Sequence, residues 1–435
     1  MLIYRVLSVL ALALYAPYAL LRSALGIRKL GSLRGRLGRE PVPALEGGIW
    51  VHAVSVGEVG VARNLLAELA RKAPDRVLGL SVTTAAGAEM ARRVLPADVA
   101  CFAFPLDLAG PVERALEATR PGLILLTETE IWPLFLERAA RRGIPVALVN
   151  GRLSERSFSR YRLARRSFSR VLSRVALFAM QTREDAARIE RLGAPGGRVF
   201  VTGNVKYDLP PAAPFADAAR LVRSAGGRPV VVAASTGQGE DEIVLAAWAA
   251  VPAADRPLLV LAPRRPERFD AVAALVREAG HALLRRSSAD DAASPAPARR
   301  DPEDEPPVYL LDSIGELSAV YGEARLAFVG GSLVPIGGHN PIEAWGAGVP
   351  VIVGPHTSNF RDIVRDGLAI GILEVVRDGP GLSRAVAAAL ADPAGLARRG
   401  EAARRAAAEG RGAVARTADL VLPLLPPAVG RAVSR

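Results

Sequence analysis

Short β-branched runs alternate with amphipathic stretches along most of this chain, and no other feature narrows its possible folds as much. Segments 48–55 (GIWVHAVS), 77–84, 122–127, 145–150, 175–181 and 199–204 read as buried strands, separated by apolar residues at helical spacing. Parallel strands need long crossovers, usually helical, so this βαβ series predicts a mostly parallel, doubly wound sheet. A Pro/Ala-rich stretch, 209–214 (LPPAAP), breaks the pattern, and the series restarts at 229–235 (PVVVAAS). It continues through 257–262, 308–311, 325–329 and 350–353 and ends in Ala-rich helices from about residue 381. The expected α/β fold is therefore two Rossmann-like domains. Ligands of such sheets sit beyond the carboxyl ends of the strands, and two such edges facing each other would make an interdomain cleft.

The expected boundaries are an N-terminal anchor and basic flank at 1–40, a first Rossmann-like domain at 41–208, a linker at 209–228, a second domain at 229–410, and a C-terminal helix and tail at 411–435. Within the second domain, 287–307 (SSADDAASPAPARRDPEDEPP) lacks apolar periodicity and reads as a mobile surface insert. At the N-terminus only Arg5 interrupts the start before the apolar run 6–21 (VLSVLALALYAPYALL), and Arg22, Arg28, Lys29, Arg34, Arg36 and Arg39 follow it. A cleaved signal peptide carries its basic cluster before the apolar run, so this segment is expected to be retained as a membrane-anchor helix. Its length and Pro17 leave open whether it spans the membrane or lies in the interface, and a buried helix of the first domain is the alternative. The basic flank keeps the body in the cytoplasm.

The charge of +12, from 56 Lys+Arg against 44 Asp+Glu, calls for an acidic partner. The single Cys101 and four scattered histidines exclude an intrachain disulfide and a recognisable zinc site, so neither metal nor cofactor is expected. No GxxxxGKS loop appears and no GxGxxG follows the first strand, which weakens ATPase and dinucleotide readings. Residues 152–174 hold eight arginines and one acid, Glu155, interleaved with Phe158, Tyr161 and Phe168. With an apolar segment upstream, an anionic lipid surface is a better match for this stretch than nucleic acid.

Candidate chemistry gathers just after the strands. Gly57 permits a tight turn that would raise Glu58 at the sheet crest; Ser55 and Glu58 also have capping-box spacing, so a catalytic and a structural role both stand. The strand 122–127 runs out into TETEIWP (127–133), placing Glu128 and Glu130 on the same edge, where either one also reads as an ordinary first-turn acid. Lys206, near the end of VTGNVKYD (201–208), reads either as a phosphate contact or as a solvated linker lysine. In the second half the loops 234–239 (ASTGQG), 330–332 (GGS) and 337–341 (GGHNP) offer backbone N–H groups suited to a nucleotide phosphate, with Asn340 capping a helix and Pro341 in its first turn. Nearby PRRPER (263–268) supplies cations, while Glu316 and Glu343 supply acceptors.

Taken together, HAVSVGE (52–58), TETEIWP (127–133), NGRLSERS (150–157), VTGNVKYD (201–208), APRRPERF (262–269), DSIGEL (312–317) and FVGGSLVPIGGHNPIEA (328–344) resemble the motifs of the Kdo (3-deoxy-D-manno-octulosonic acid) transferases, in order and approximate spacing. That resemblance implies a GT-B glycosyltransferase at the bacterial inner membrane. It implies CMP-Kdo as donor substrate, a lipid A precursor of the lipid IVA type as acceptor, and inverting, metal-independent transfer in lipopolysaccharide core biosynthesis. Carried over residue by residue, it makes Glu58 the general base and Glu128 and Lys206 stabilisers of the transition state. It assigns Pro263, Arg264, Ile314, Gly315, Glu316, Asn340, Pro341, Ile342 and Glu343 to the CMP pocket. The chain departs from the family pattern at Gly237 and Arg265, where histidines are usual, and at Leu134, where asparagine is usual. A membrane-associated GT-B enzyme or epimerase using a UDP-sugar is the nearest alternative, and a membrane-tethered binder of anionic polymer is a more distant one.

Overall fold

The computed structural model describes residues 33–208, 213–290 and 305–427; the apolar run expected as a membrane anchor lies outside them. Among the described residues no helix is long and apolar enough to cross a membrane. The chain divides into two compact units, Met1–Asp208 with Gly410–Arg435, and Leu209–Glu409.

The first unit is built on seven strands: β1 Ile49–Ala53, β2 Leu78–Val82, β3 Ala100–Ala103, β4 Leu123–Thr127, β5 Val146–Gly151, β6 Leu177–Met180 and β7 Val199–Val201. They are ordered β3-β2-β1-β4-β5-β6-β7, and every pairing is parallel. Helices cover both faces, so the inner strands are apolar on both sides. Ile49, Val51, Leu123 and Leu125 enter one core, while Trp50, Ile124 and Leu126 enter the other, as a side-chain period of two requires. The helix Val56–Lys72 buries Val59, Ala62, Leu65, Leu66 and Leu69 at helical spacing against the first of these cores. Truncating Leu65 to Ala there would cost about 2–5 kcal/mol.

The last described α-helix, Ala413–Val421, also belongs to this core through Ala413, Val414, Ala418 and Val421. Its first turn is held by the Asp208 carboxylate, which accepts from the backbone N–H of Gly412 and, at 2.5 Å, from that of Val414. A negative group at this position also suits the helix dipole. Tyr207 lies so close to Gly410 that a Cβ there would fall 2.4 Å from its ring, which reserves the position for glycine.

The second unit repeats the plan with β8 Val230–Thr236, β9 Leu258–Pro263, β10 Leu283–Arg285, β11 Val308–Leu310, β12 Leu326–Val329, β13 Val351–Val353 and β14 Leu373–Val375. Their order is β10-β11-β9-β8-β12-β13-β14, again all parallel. Part of the stretch expected as linker, 209–228, is instead structured: Ala218–Ala225 is a helix of this unit, with Leu221 fully buried. Just before it, Asp217 accepts a 2.6 Å hydrogen bond from the Tyr309 hydroxyl. The Pro/Ala composition of 209–214 masked an amphipathic helix a few residues later. The expected insert is also anchored at its start, where Asp312 accepts from the Ser287 backbone N–H (2.8 Å) and hydroxyl (2.6 Å); residues 291–304 lie outside the described chain.

The strand order reverses direction between β1 and β4 in the first sheet and between β8 and β12 in the second, where β11 is also inserted between β9 and β10. Loops leaving a parallel sheet on either side of such a point diverge and open a crevice. Glu58 and Glu128 leave their strands there, as does the loop carrying Asn340, whereas Lys206 follows the edge strand β7, and Arg264 and Ile314 follow β9 and β11.

Candidate active site

In the first unit Glu58 sits in the third position of the helix that follows β1, only 7% exposed. Its Oε2 accepts from the Val54 backbone N–H at 2.9 Å and lies 2.9 Å from Thr127 Oγ1; its Oε1 accepts from the Ser55 hydroxyl at 2.9 Å. Ser55 is the N-cap residue, yet its side chain makes no capping bond to the helix and turns to Glu58 instead, so the reciprocal capping box is not formed.

Thr127 Oγ1 also lies 2.8 Å from the His52 carbonyl oxygen. A hydroxyl has one proton, so a charged Glu58 competes with His52 for it. Once Glu58 is protonated, its own proton can point to Thr127 while the threonine serves His52. The pocket thus accommodates both states of a group that takes up a proton. Burial raises the Glu58 pKa above the ordinary carboxyl value, the Val54 N–H opposes that shift, and the charge of Glu128 adds to it.

Glu128 follows β4 directly, with φ at +55°, a left-handed conformation that is uncommon for a residue of this kind. Its Oε1 lies 3.5 Å from Lys206 Nζ, so Lys206 is an ion-pair partner inside the unit and not a solvated linker lysine. Glu130 is pushed up to about 7, first by burial and then by the charges of Glu58 and Glu128. Three carboxyl groups and one ammonium therefore share this crest.

Two asparagines hold the turn that carries Lys206. Asn150 Oδ1 accepts from the Val205 backbone N–H at 3.0 Å, and Asn204 Oδ1 accepts from Lys206's own N–H at 3.0 Å. Asn150 is fully buried at the end of β5 with φ at +51°, which asparagine tolerates better than most residues. Its Nδ2 has no hydrogen-bond partner among the described residues. No role for this residue was drawn from the sequence, although it opens the NGRLSERS motif.

His52 proves to be a core residue. It is fully buried, stacks on Phe104 at 3.7 Å between ring centroids, and bonds through Nδ1 to Ser81 on β2, whose hydroxyl also accepts from Trp50 Nε1. Burial lowers its pKa to about 3, which keeps it neutral at physiological pH. The arginine-rich stretch forms the helices Glu155–Arg162 and Arg165–Leu172. Its aromatic residues pack within the protein: Phe158 is buried, and Tyr161 stacks on Phe168 at 4.4 Å. Arg156, Arg160, Arg162, Arg165, Arg166 and Arg170 are exposed, and Leu163, between the two helices, is 89% exposed.

In the second unit Pro263 ends β9, and the exposed Arg264 donates its backbone N–H to the Thr236 carbonyl oxygen. Ile314 and Gly315 are exposed in the loop after β11, with Gly315 at φ +89°. Glu316 accepts from the Ser313 hydroxyl at 2.5 Å and pairs with Arg286 at 3.0 Å. Asn340 Oδ1 accepts from the Ile342 N–H at 3.1 Å, with Pro341 at the N-cap of the short helix Ile342–Gly346 that carries Glu343. Burial and the charge of Arg264 lower His339 to about 4, which places Arg264 near the Asn340 loop.

The glycine-rich loops depart from expectation. The backbone N–H groups of Gly237, Gly331 and Ser332 point at the buried carboxylate of Glu240, not at an open phosphate position. A polar cleft of about 300 Å³ that sequence reasoning missed lies beside the 337–341 loop, lined by Pro335, Gly337, Pro355, His356, Thr357, Ser358 and Arg361. Of the three departures from the family pattern, Leu134 is buried with its N–H on Asp107 at 3.1 Å. Arg265 is exposed, and a Cβ at Gly237 would press on Ile336 at 2.4 Å.

Residues 31–209 match the family described as 3-deoxy-D-manno-octulosonic-acid transferase (kdotransferase). Over 402 residues the chain is 36% identical to a 3-deoxy-D-manno-octulosonic acid transferase of Haemophilus influenzae, covering 92% of each chain. Over 397 residues it is 37% identical to the enzyme of the same name from Bordetella pertussis, covering 88% of this chain and 89% of that one. Its fold is similar to that of a putative UDP-N-acetylglucosamine 2-epimerase from Listeria monocytogenes, with a TM-score of 0.51 over 86% of this chain and 96% of the other. At 15% identity that likeness speaks for the two-domain GT-B-like fold alone. With full-length relatives of this identity and the carboxylate crest in place, the chain belongs to the 3-deoxy-D-manno-octulosonic acid (Kdo) transferase family, glycosyltransferases of lipopolysaccharide biosynthesis.

Proposed function

We propose that the chain transfers Kdo from CMP-Kdo to a lipid A precursor of the lipid IVA type, with inversion, at the inner membrane. The observation that carries this reading is the Glu58 pocket, in which a carboxyl group with a raised pKa is set at the crest beside an ammonium–carboxylate pair. In the reaction the acceptor hydroxyl oxygen bonds to the anomeric carbon of Kdo as the bond from that carbon to the CMP phosphate oxygen breaks. The hydroxyl proton passes to Glu58, and the electron pair of the broken bond leaves with CMP. Glu58 is poised for this because its pKa lies nearer to neutrality than that of an exposed glutamate. Lys206 and Glu128 stabilise charge that develops at the reacting sugar.

Pro263, Arg264, Ile314, Gly315, Glu316, Asn340, Pro341, Ile342 and Glu343 hold CMP. Their support is position: all lie at or beyond the carboxyl ends of strands in one parallel sheet. The arginine face with Leu163 at its apex meets the anionic lipid surface that presents the acceptor, and the N-terminal segment tethers the body there. Mass spectrometry of a tetraacylated lipid A precursor after incubation with CMP-Kdo and the full chain tests the reading. A mass increase of one or more Kdo units is expected, and an unmodified acceptor in the presence of intact donor would refute it.

A further inference from the structure

Glu240 opens the helix Glu240–Ala249 after β8 and is fully buried. Its Oε2 accepts from the N–H groups of Gly237 (2.7 Å) and Gly331 (2.5 Å), and its Oε1 from those of Ser332 (2.9 Å) and Leu333 (2.8 Å). Gly237 lies in the loop after β8 and the other three in the loop after β12, so the donors come from both sides of the point where the strand order reverses. Both loops press on the carboxylate: a Cβ at Gly330 would lie 2.8 Å from Oε2. Convergent backbone N–H groups beside a helix N-terminus at such a point are the usual seat of a nucleotide's pyrophosphate. In this chain the seat is filled by the protein's own anion.

We propose that Glu240 is a specificity-determining residue that closes the phosphate cradle of the donor unit, so that a nucleoside monophosphate is accepted and a nucleoside diphosphate is rejected. This rests on the CMP-donor reading above. A single phosphate can be held at the crest by Arg264 and its neighbours without entering the cradle. A second phosphate directed into it would meet a carboxylate at contact distance and find the four N–H donors already engaged. Both effects oppose binding.

The test measures binding of CMP, CDP and inorganic pyrophosphate to the full chain by calorimetry and thermal shift, with wild type, Glu240→Ala and Glu240→Gln. Wild type should bind CMP at least ten-fold more tightly than CDP and show no melting shift with pyrophosphate. Glu240→Ala should narrow the CMP:CDP ratio ten-fold or more and melt higher with pyrophosphate. Glu240→Gln keeps the shape, serves if the alanine variant does not fold, and should shift the ratio in the same direction. A folded variant that keeps the wild-type ratio and gains nothing from pyrophosphate overturns the proposal. If neither variant folds, the wild-type ratio decides: CDP binding as tightly as CMP overturns it. Wild type that binds no CMP refutes the donor reading instead, and the pyrophosphate response of the variants still decides the role of Glu240.

Discussion

Replacing Glu58 with glutamine separates a base from a cap. In the observed pocket glutamine keeps the contacts to Val54 and Ser55 and gives up only the hydrogen bond to Thr127. Its carbonyl oxygen, placed where Oε2 lies, accepts the Val54 N–H; its amide, placed where Oε1 lies, donates to the Ser55 hydroxyl oxygen; Thr127 then gives its proton to the His52 carbonyl. The substitution also removes a charge that burial and Glu128 disfavour, so stability should hold or rise slightly. What glutamine cannot do is take the proton of the acceptor hydroxyl. Loss of a general base costs ~10²–10⁴ in rate, or about 3–5 kcal/mol in the barrier. The assay is transfer at saturating donor and acceptor, with thermal melting and CMP titration alongside. A hundred-fold or greater fall in kcat, with melting and CMP affinity unchanged, is expected. Retention of more than about a third of wild-type kcat, far above what base removal leaves, would refute the assignment and move attention to Glu128 and Glu130.

Glu130→Gln should change the pH dependence of stability. A carboxyl raised to about 7 contributes its stability below the ordinary value of 4.5 and loses it as pH rises through about 7. Urea unfolding should therefore show wild type losing up to about 3 kcal/mol relative to the variant across that window, and parallel curves would count against the buried position of Glu130. Asn150→Ala removes the acceptor for the Val205 N–H and places alanine at positive φ; together these should cost roughly 2–4 kcal/mol in urea unfolding and lower kcat through Lys206. Asn150→Asp should restore most of the stability, and equal losses in both variants would argue against the hydrogen bond. Replacing Arg160, Arg162 and Arg166 together with Glu should raise the acceptor KM and weaken binding to anionic liposomes while CMP affinity stays constant; an unchanged KM would remove this face from the acceptor surface.

The central strands were legible because they are buried on both faces and therefore dense in apolar residues. The three that pattern reading missed, β3, β10 and β14, are all edge strands, where that pressure relaxes. Cys101 on β3 is exposed, Arg285 ends β10 with a 2.6 Å bond to Asp312, and Glu374 sits in β14. At the site, spacing alone left Glu58 divided between cap and base; only the hydroxyls of Ser55 and Thr127 show where its carboxylate is used. Glu240 looks like any first-turn acid until Gly331, Ser332 and Leu333, some ninety positions away, are folded onto it. Nothing local to residues 413–421 says that they pack with β5, β6 and the helix Val56–Lys72 and not with the domain that precedes them.

That return of the chain sets an order of events during synthesis. The first unit leaves its core at Asp208 and needs Ala413–Val421 to complete it, and the same Asp208 carboxylate receives the returning helix. Some two hundred residues of the second unit must be translated in between, which at ~5–20 residues per second takes roughly 10–40 s. A nascent chain therefore holds an unfinished first domain, with part of the helix Val56–Lys72 and of the β5–β6 surface uncovered, while the whole second domain emerges and can fold. The domain translated first is the last to be completed.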